Sequence, residues 1–264
     1  YFDVHFCLCL YSNEKTKRPM KTLVIIPSRL SATRLPGKPL LKVNGLSIIS
    51  HVFKKAEEAN IGEVIVAAED QEIVDDVKKN GGQAIMTKNY HKTGTDRIYE
   101  ALVRFDSSKI DLVMNLQGDE PLINIDDIKK LNNQMIENNS NLGTLASAIL
   151  DKKLYEKESV VKVTTKEKLT NKNFPEAINF SRKISDQNKK IYQHLGIYCY
   201  QKETLKNFVS YEQSSNEQKY KLEQYRALEN NIKINVALAK TSPIGVDTEE
   251  DFLAIKKIME YKLK

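Results

Sequence analysis

Apolar residues follow two alternating patterns along the first half of the chain. Short apolar runs, typical of buried strands, occupy residues 23–26, 64–68, 83–86 and 112–116, and the first of them is rich in β-branched residues. Around them, apolar residues recur every three or four positions, as on one face of a helix, over residues 48–56, 70–80, 95–105 and 126–138. This alternation of strand and helix predicts a parallel sheet with helices on both faces.

The pattern changes after Gly143. Short apolar runs at 145–150, 160–164 and 192–200 predict strands with few intervening helices, and the polar stretch 183–190 predicts a loop. Such a segment favours an antiparallel extension or a dimer arm. Helical spacing returns at 216–230, a last strand is predicted at 232–239, and Thr248 is predicted to cap a terminal helix through Tyr261. The predicted class is α/β with a mostly parallel central sheet and an antiparallel extension.

The composition is that of an ordinary soluble globular protein. Of the 264 residues, 41% are hydrophobic and 29% are charged. No apolar run approaches the roughly 18–20 residues that span a bilayer, so we expect no membrane insertion. Cys7, Cys9 and Cys199 cannot form a paired disulfide framework, and a reducing cytoplasm is the simplest setting.

The net charge and its distribution bear on whether the ligand is a small acidic molecule or a nucleic acid. The chain has 41 Lys and Arg against 35 Asp and Glu, a net charge of +6, and the basic residues are spread along its whole length. This distribution weakly favours acidic small ligands. It argues against nucleic acid, because a nucleic-acid partner usually needs a basic stripe.

The fold is expected to begin near Met20. The sequence from Met20 resembles a natural start that leads directly into the first predicted strand, and the preceding residues contain no basic region ahead of their apolar run. We therefore expect residues 1–19 to be an extension outside the fold and residues 20–264 to form a single domain.

A basic loop follows the first predicted strand. Arg29, Arg34 and Lys38 are three cations at the carboxyl end of that strand, where open α/β sheets bind their ligands. Pro36 and Gly37 restrict the loop and allow close approach of an anion. A solvated charged loop is the alternative, but the position favours a site for a polyphosphate. The loop matches neither the P-loop motif nor the dinucleotide-binding motif.

Two acidic residues are candidates for a metal site. Asp119 follows the fourth predicted strand and should stand at the same sheet edge as the basic loop, although a plain turn residue is an equal alternative. Asp247 precedes Thr248 and by itself is better explained by the helix cap, but together with Asp119 it would complete a two-carboxylate magnesium clamp. His194 lies in a strand-like run, where a lone histidine is more often a core residue than a ligand.

The spaced motifs carry a resemblance to a known family. In chain order, they are Pro27-Ser-Arg-Leu-Ser-Ala-Thr-Arg-Leu-Pro-Gly-Lys-Pro-Leu40, Gly94-Thr-Asp-Arg97, Asn115-Leu-Gln-Gly-Asp-Glu-Pro121, Phe180-Ser-Arg182, His194-Leu-Gly-Ile-Tyr198, Leu222-Glu-Gln-Tyr-Arg226 and Gly245-Val-Asp-Thr248. Together they resemble the 3-deoxy-manno-octulosonate (Kdo) cytidylyltransferases, also called CMP-Kdo synthetases. The resemblance runs from Met20 to the C-terminus.

The resemblance implies a Rossmann-like nucleotidyltransferase that joins Kdo and CTP to CMP-Kdo, with release of pyrophosphate, for lipopolysaccharide synthesis. The residues that it implies fall into three groups. On the nucleotide side they are Ser28, Arg29, Arg34, Lys38, Gly94, Thr95 and Arg97; on the sugar side they are Gln117, Arg182, His194, Tyr198 and Glu223; and Asp119 and Asp247 are implied as Mg²⁺ ligands that act in catalysis with Lys38. It also implies a cytoplasmic homodimer in which residues 144–200 form the sugar-side and dimer extension.

Two other functions remain open from the sequence. A CTP-dependent transferase for a nine-carbon acidic sugar is the nearest rival, but it is expected to have a different basic loop. A non-catalytic nucleotide-sensing module on the same fold would be favoured by loss of Asp119, Asp247 or Lys38, and all three are present. The sequence does not distinguish Kdo from an amino-substituted variant.

Overall fold

A central sheet organises the chain in the computed structural model, which describes residues 18–31, 34–151, 153–184 and 190–261. The strands are β1 (Thr22–Ser28), β2 (Lys42–Val43), β3 (Leu46–Ser47), β4 (Gly62–Ala68), β5 (Ala84–Met86), β6 (Leu112–Asn115), β7 (Leu142–Ser147), β8 (Lys162–Thr165), β9 (Ala177–Ser181), β10 (Ile191–Gln201) and β11 (Ile234–Leu238). The helices are α1 (Ile48–Ala59), α2 (Gln71–Lys79), α3 (Gly94–Arg104), α4 (Ile125–Asn138), α5 (Lys153–Glu156), α6 (Lys202–Ser210), α7 (Ser215–Tyr220), α8 (Gln224–Glu229) and α9 (Glu249–Tyr261). A 3-10 turn covers Lys38–Leu40.

The sheet is mixed, with a parallel centre. Its strand order is β11-β7-β10-β6-β1-β4-β5, with β8 pairing to β10 and β9 pairing to β8. Strand β1 runs parallel to β4 and β6, whereas β10 runs antiparallel to β6, β7 and β8. The prediction of a mostly parallel sheet with an antiparallel extension is confirmed.

The alternation of side chains in β1 builds a core on each face of the sheet. Val24 and Ile26 pack in one cluster with apolar residues of α1, α2 and α4. Leu23 and Ile25 point the opposite way and pack with residues of α3 and α6. Because both faces are covered, β1 is buried almost throughout, and its carboxyl end reaches the surface only where the basic loop begins.

The second half of the chain departs from the predicted elements. The predicted helix 216–230 is two short helices, α7 and α8, because Lys221 adopts a left-handed conformation with φ of 53° that ends α7. Helix α6 and strand β9, which are short elements with three and two buried residues, were also not predicted from the hydrophobic pattern. The strand predicted at 145–150 lies instead at Leu142–Ser147. Gly143 lies inside this strand. The position requires glycine because a Cβ there would lie 2.6 Å from Met135 Sδ.

Residues 1–17, most of the predicted N-terminal extension, lie outside the described residues. Of the rest, Arg18 donates two hydrogen bonds of 2.8 Å to the Asp111 carboxylate at the amino-terminal edge of β6. Among the described residues, no helix combines the length and apolar character needed to cross a bilayer.

Candidate active site

Two neighbouring cavities open at the carboxyl ends of β1 and β6. The first cavity, of about 320 Å³, lies between the basic loop, the start of α3 and the segment after β6. The second cavity, of about 420 Å³, lies between β10, the turn before β8 and the start of α8. Gln117 lines both. All of the predicted site residues line one of these two cavities.

The basic loop is held closed at its tip. Gly37 has a φ of 70°, in the left-handed region that favours glycine, and its N–H donates to Leu30 O at 3.1 Å. Pro39 is buried behind it and anchors the 3-10 turn that begins with Lys38. The loop therefore presents Arg29 and Arg34 at the surface of the first cavity and Lys38 deeper inside it.

Four charged side chains meet at the floor of the first cavity. Lys38 Nζ donates to the Asp119 carboxylate, and lies 3.5 Å from Asp247 Oδ1. It also donates to the backbone oxygen of Val246 at 3.0 Å, and Arg34 Nη2 lies 3.1 Å from Asp247 Oδ2. The two cations and two carboxylates come from three segments far apart in sequence, and their charges cancel.

The carboxylate oxygens of this cluster are suitable ligands for a divalent cation. Asp119 and Asp247 both reach one ammonium group, so their oxygens converge on a single point, and hard carboxylate oxygens suit Mg²⁺. Among the described residues, no group of three acidic, His or Cys side chains is arranged to hold a metal. An ion bound here would therefore complete its shell with water or ligand oxygens, as Mg²⁺ commonly does.

Glu120 is a third carboxyl beside this cluster that the sequence did not single out. Its Oε2 is buried and has no hydrogen-bond partner among the described residues. Burial, together with the charges of Asp119 and Asp247, raises its pKa to about 8. At neutral pH Glu120 is therefore mostly uncharged and adds little negative charge to the two aspartates.

The remaining nucleotide-side candidates take different positions. Ser28 and Gly94 line the first cavity, and Ser28 Oγ is buried without a hydrogen-bond partner among the described residues. Arg97 also lines it, but its guanidinium pairs with Glu69 and donates to Thr87 Oγ1 at 2.8 Å. Because its charge is compensated and the side chain is buried, Arg97 shapes the wall of the cavity and presents no free charge.

Thr95 does not line the first cavity, where we expected it. Its hydroxyl donates to Glu223 Oε2 at 2.6 Å, and it lines the second cavity instead. The reason is helical geometry, because Thr93 caps α3 and residues one position apart on a helix face different directions. Gly94 faces one cavity and Thr95 the other.

Arg182 is the cation of the second cavity. Its guanidinium donates to the backbone oxygens of Glu158, Tyr220 and Lys221 at 3.1 to 3.2 Å. The last two are carbonyls freed where α7 ends at its left-handed residue. Among the described residues no carboxylate pairs with Arg182, and its donor count leaves one N–H free on each terminal nitrogen. The three carbonyls thus fix the positive charge in place, and no described carboxylate pairs with it.

His194 lies within the second cavity as a neutral side chain. Thr144 Oγ1 donates to Ile197 O at 2.7 Å, so it accepts from His194 Nε2, which lies 3.0 Å away. This assignment leaves Nδ1 as an acceptor. Burial lowers the pKa of His194 to about 3, because the charged ring would lose its hydration.

Tyr198, Gln224 and Glu223 form the wall opposite Arg182. Gln224 Nε2 donates to the Tyr198 hydroxyl at 2.5 Å, and burial raises the pKa of Tyr198 well above its usual value. Burial also raises the pKa of Glu223, the residue that receives the Thr95 hydrogen bond. Gln117, which donates to Gly196 O at 2.7 Å, stands where this wall meets the first cavity.

Comparison with known proteins identifies the family. Residues 23–234 match the profile of the Cytidylyltransferase family. A 3-deoxy-manno-octulosonate cytidylyltransferase of Nitrobacter winogradskyi is 39% identical over 241 residues, 90% of this chain and 94% of that protein. The chain belongs to the 3-deoxy-manno-octulosonate cytidylyltransferase family. The same-named protein of Brucella canis is also 39% identical, over 88% of this chain and 93% of its own length.

A solved member of this cytidylyltransferase family supports the same assignment. The structure of CMP:2-keto-3-deoxy-manno-octonic acid synthetase complexed with CTP matches with a TM-score of 0.82 and 33% identity, over 92% of this chain and 99% of that one. The 4-diphosphocytidyl-2C-methyl-D-erythritol synthase of Anaerococcus prevotii matches with a TM-score of 0.63 and 14% identity, over 91% of this chain and 99% of that one, which shows a shared fold alone.

The cytidylyltransferase site also contains residues that sequence reasoning missed. His91, Lys92 and Thr93 line the first cavity immediately before Gly94. Their signal was available, because the residues that lead into a helix N-terminus at a sheet edge commonly face a bound anion. His91 pairs with Glu100, whereas the exposed Lys92 forms no ion pair with a described residue.

The buried state of His194 predicts acid sensitivity. As the pH falls from 6.5 towards 3, the unfolded chain binds a proton at this residue and the folded chain does not, so stability falls through that window. Between pH 7 and pH 5, we expect the free energy of unfolding to fall by about 2 kcal/mol less in His194→Gln than in the unsubstituted protein. Urea unfolding at both pH values measures this difference. His51→Gln, on α1 outside both cavities, is the matched control, and an equal effect there would contradict the assignment.

Proposed function

We propose that this chain transfers the cytidylyl group of CTP to Kdo, giving CMP-Kdo and pyrophosphate for lipopolysaccharide synthesis. The observation that carries the proposal is the pair of cavities joined at Gln117, one with loop cations and converging carboxylates and one with an uncompensated arginine. A triphosphate suits the first and an acidic sugar suits the second. The relatives named for this reaction span nearly the whole chain.

The nucleotide side acts by charge and position. Arg29, Arg34 and Lys38 neutralise the triphosphate, and the closed loop holds them without a large ordering cost when the nucleotide binds. The anomeric hydroxyl of Kdo attacks the α-phosphorus in line, one P–O bond forms, and the bond to the leaving pyrophosphate breaks. The protein needs no covalent nucleophile for this transfer.

Asp119 and Asp247 are the residues that would hold Mg²⁺. When bound, Mg²⁺ supplies charge neutralisation on the phosphates and lowers the pKa of an oxygen nucleophile. Lys38 now holds both carboxylates, so a divalent ion there would free its ammonium to bind phosphate oxygens.

The sugar side acts by recognition of a carboxylate and hydroxyls. The two N–H groups of Arg182 that have no acceptor among the described residues suit a bidentate contact with the sugar carboxylate. The neutral side chains of His194 and Tyr198, together with Gln117 and Glu223, suit hydroxyls. Residues 144–200 supply much of this cavity, and we propose that they also form the contact of a homodimer. We further propose a cytoplasmic enzyme whose catalytic domain is residues 20–264.

A pyrophosphate-release assay tests the proposal. The full chain with CTP, Kdo and Mg²⁺ should release pyrophosphate, whereas omission of Mg²⁺ or sugar should abolish the release. An amino-substituted eight-carbon sugar and a nine-carbon sialic acid, run in parallel, identify the preferred substrate. Faster turnover of sialic acid than of Kdo would reject the proposed substrate, and binding of CTP without turnover of any sugar would favour a sensing module.

Substitution of Arg182 should separate the two substrates. We expect Arg182→Ala to raise the KM for Kdo about ten- to a hundredfold, because a charge-assisted pair with a carboxylate contributes roughly 1.5–3 kcal/mol. CTP binding measured without sugar should stay within about twofold. Arg104→Ala, at an exposed arginine on α3 that pairs with Glu100, is the matched control and should change neither value. Loss of CTP binding in Arg182→Ala with an unchanged KM for Kdo would contradict the separation.

A further inference from the structure

Lys162 is a buried lysine that forms no ion pair with a described residue. It and Arg226 are the two largest fully buried side chains among the described residues. Arg226 is paired, since it donates to both carboxylate oxygens of Glu217 at 2.5 and 2.8 Å. No described carboxylate lies within ion-pair distance of Lys162 Nζ, whose partners are backbone oxygens. A buried charge of this kind is costly unless another group compensates it.

The ammonium group of Lys162 binds the main chain of Arg182 and the turn before β8. Lys162 begins β8, which pairs with β9 on one side and with β10 on the other, where Ser181 and Gln193 are its partners. Its Nζ donates to Arg182 O at 2.7 Å and to Lys157 O at 2.8 Å. The ammonium thus joins the end of β9 to the turn that precedes β8.

That turn also holds the guanidinium of Arg182. Glu158 O, one residue beyond Lys157, accepts from Arg182 Nη1 at 3.1 Å, and the following Ser159 and Val160 line the second cavity. Lys162 therefore fixes the main chain of Arg182 and, through the turn, the acceptor for its side chain. If Lys162 were neutral and shorter, both ends of the arginine would lose a constraint.

The charges around Lys162 favour a positive potential on the Arg182 side of the second cavity. Burial and the Arg182 charge lower the pKa of Lys162, whereas Glu158 raises it. The Glu158 carboxylate is itself engaged by Lys183 at 2.9 Å. Lys162 and Arg182 are thus two neighbouring cations, and Glu158, the described carboxylate that acts on Lys162, is already paired with Lys183. An anion bound at Arg182 would supply the missing negative charge.

We propose that Lys162 is a positioning residue for the acidic sugar, which orients Arg182 and strengthens the positive potential at the sugar carboxylate. The proposal rests on the proposed function, because it takes the ligand of the second cavity to be an acidic sugar. It assigns Lys162 no contact with the sugar. Its effect passes through Arg182 and through the electrostatic potential of the cavity.

Kinetics of Lys162→Met, which removes the charge and both hydrogen bonds at similar side-chain volume, test the proposal. We expect the KM for Kdo to rise about tenfold or more, while the KM for CTP changes less than about twofold. Lys162→Gln, which keeps an amide donor without the charge, should lie between, and it carries the test if the Met variant does not fold. The control is Lys166→Met. Lys166 is an exposed lysine in the connection between β8 and β9, where it pairs with Glu176.

Two further measurements separate a positioning role from a structural one. Calorimetric binding of Kdo without CTP should weaken in Lys162→Met by the same factor as the KM. The primary amide of Kdo, which lacks the carboxylate charge, should bind the unsubstituted and Lys162→Met proteins with affinities within about twofold. An unchanged KM for Kdo in a folded variant, or equal losses toward both substrates and toward the amide, would overturn the proposal. If the unsubstituted protein binds Kdo but makes no CMP-Kdo, the proposed function fails while the binding comparison still decides the role of Lys162.

Discussion

Asp119→Asn should lower kcat about a hundredfold or more and leave the fold intact. The Asp119 carboxylate accepts from Lys38 and shares that ammonium with Asp247, so the amide would lose a charge at the convergence point of the first cavity. With the metal proposed there, the substitution also removes one of two protein ligands. A preorganised electrostatic contact at a reacting phosphate is worth a factor of this size. Steady-state pyrophosphate release at saturating CTP and Kdo measures it.

The control for this result is Asp126→Asn. Asp126 is an exposed carboxylate early in α4 that pairs with Lys240 at 2.7 Å, so its replacement also removes one charge from a lysine–aspartate pair. Its kcat should stay within about twofold of the unsubstituted value, because exposed pairs contribute little. A Mg²⁺ titration of Asp119→Asn should show a higher requirement for the metal. Near-normal kcat at saturating Mg²⁺ would refute the metal role of Asp119.

The sheet edge of the active site was predictable from hydrophobic patterns. Continuous apolar runs at β1 and β6 identified parallel buried strands, and parallel strands bring their carboxyl ends together. The basic loop and Asp119 follow those two ends, so their proximity followed from topology. Asp247 was a weaker candidate that counted only together with Asp119, because its closeness to Lys38 depends on where the segment before α9 crosses the sheet edge.

Other features of the site depend on tertiary contacts that no local pattern carries. Thr95 lies one position from Gly94 yet faces the other cavity, since the direction of each side chain on α3 depends on how the helix packs. The pairing of Arg97 with Glu69, just after β4, neutralises a residue that the resemblance placed on the nucleotide side. Lys162 sits in a run of strand residues, and its burial against Arg182 depends on the β8–β9 pairing.

The two halves of the chain supply the candidate residues of different cavities. Apart from Asp247, the candidates on the nucleotide side come from the first half, between β1 and the segment after β6, whereas the sugar-side candidates come mainly from β9 onward. Gln117 belongs to both, and the hydrogen bond from Thr95 to Glu223 is a second link between the halves. A residue deep in the first cavity and away from these links should therefore affect CTP alone. Lys38 meets that condition.

Lys38→Met should lower kcat/KM for CTP about a hundredfold or more and change the KM for Kdo by less than about threefold. The side chain is only 16% exposed, and its ammonium contacts Asp119, Asp247 and Val246 O, so no nearby cation can replace it without movement. If the ammonium binds charge that builds on the leaving pyrophosphate, kcat falls as well as the affinity for CTP.

Lys42→Met, at an exposed lysine of β2 just beyond the 3-10 turn, is the matched control for Lys38→Met and should leave both parameters within about twofold. Because the loss of Lys38 also leaves two carboxylates facing each other, thermal unfolding of the variant has to be measured alongside, with and without Mg²⁺. A divalent ion that binds both carboxylates should restore the melting temperature but not the rate, since the phosphates would still lack their cation. If Mg²⁺ restores both, Lys38 serves only to hold the two aspartates, and its direct role on the triphosphate is wrong.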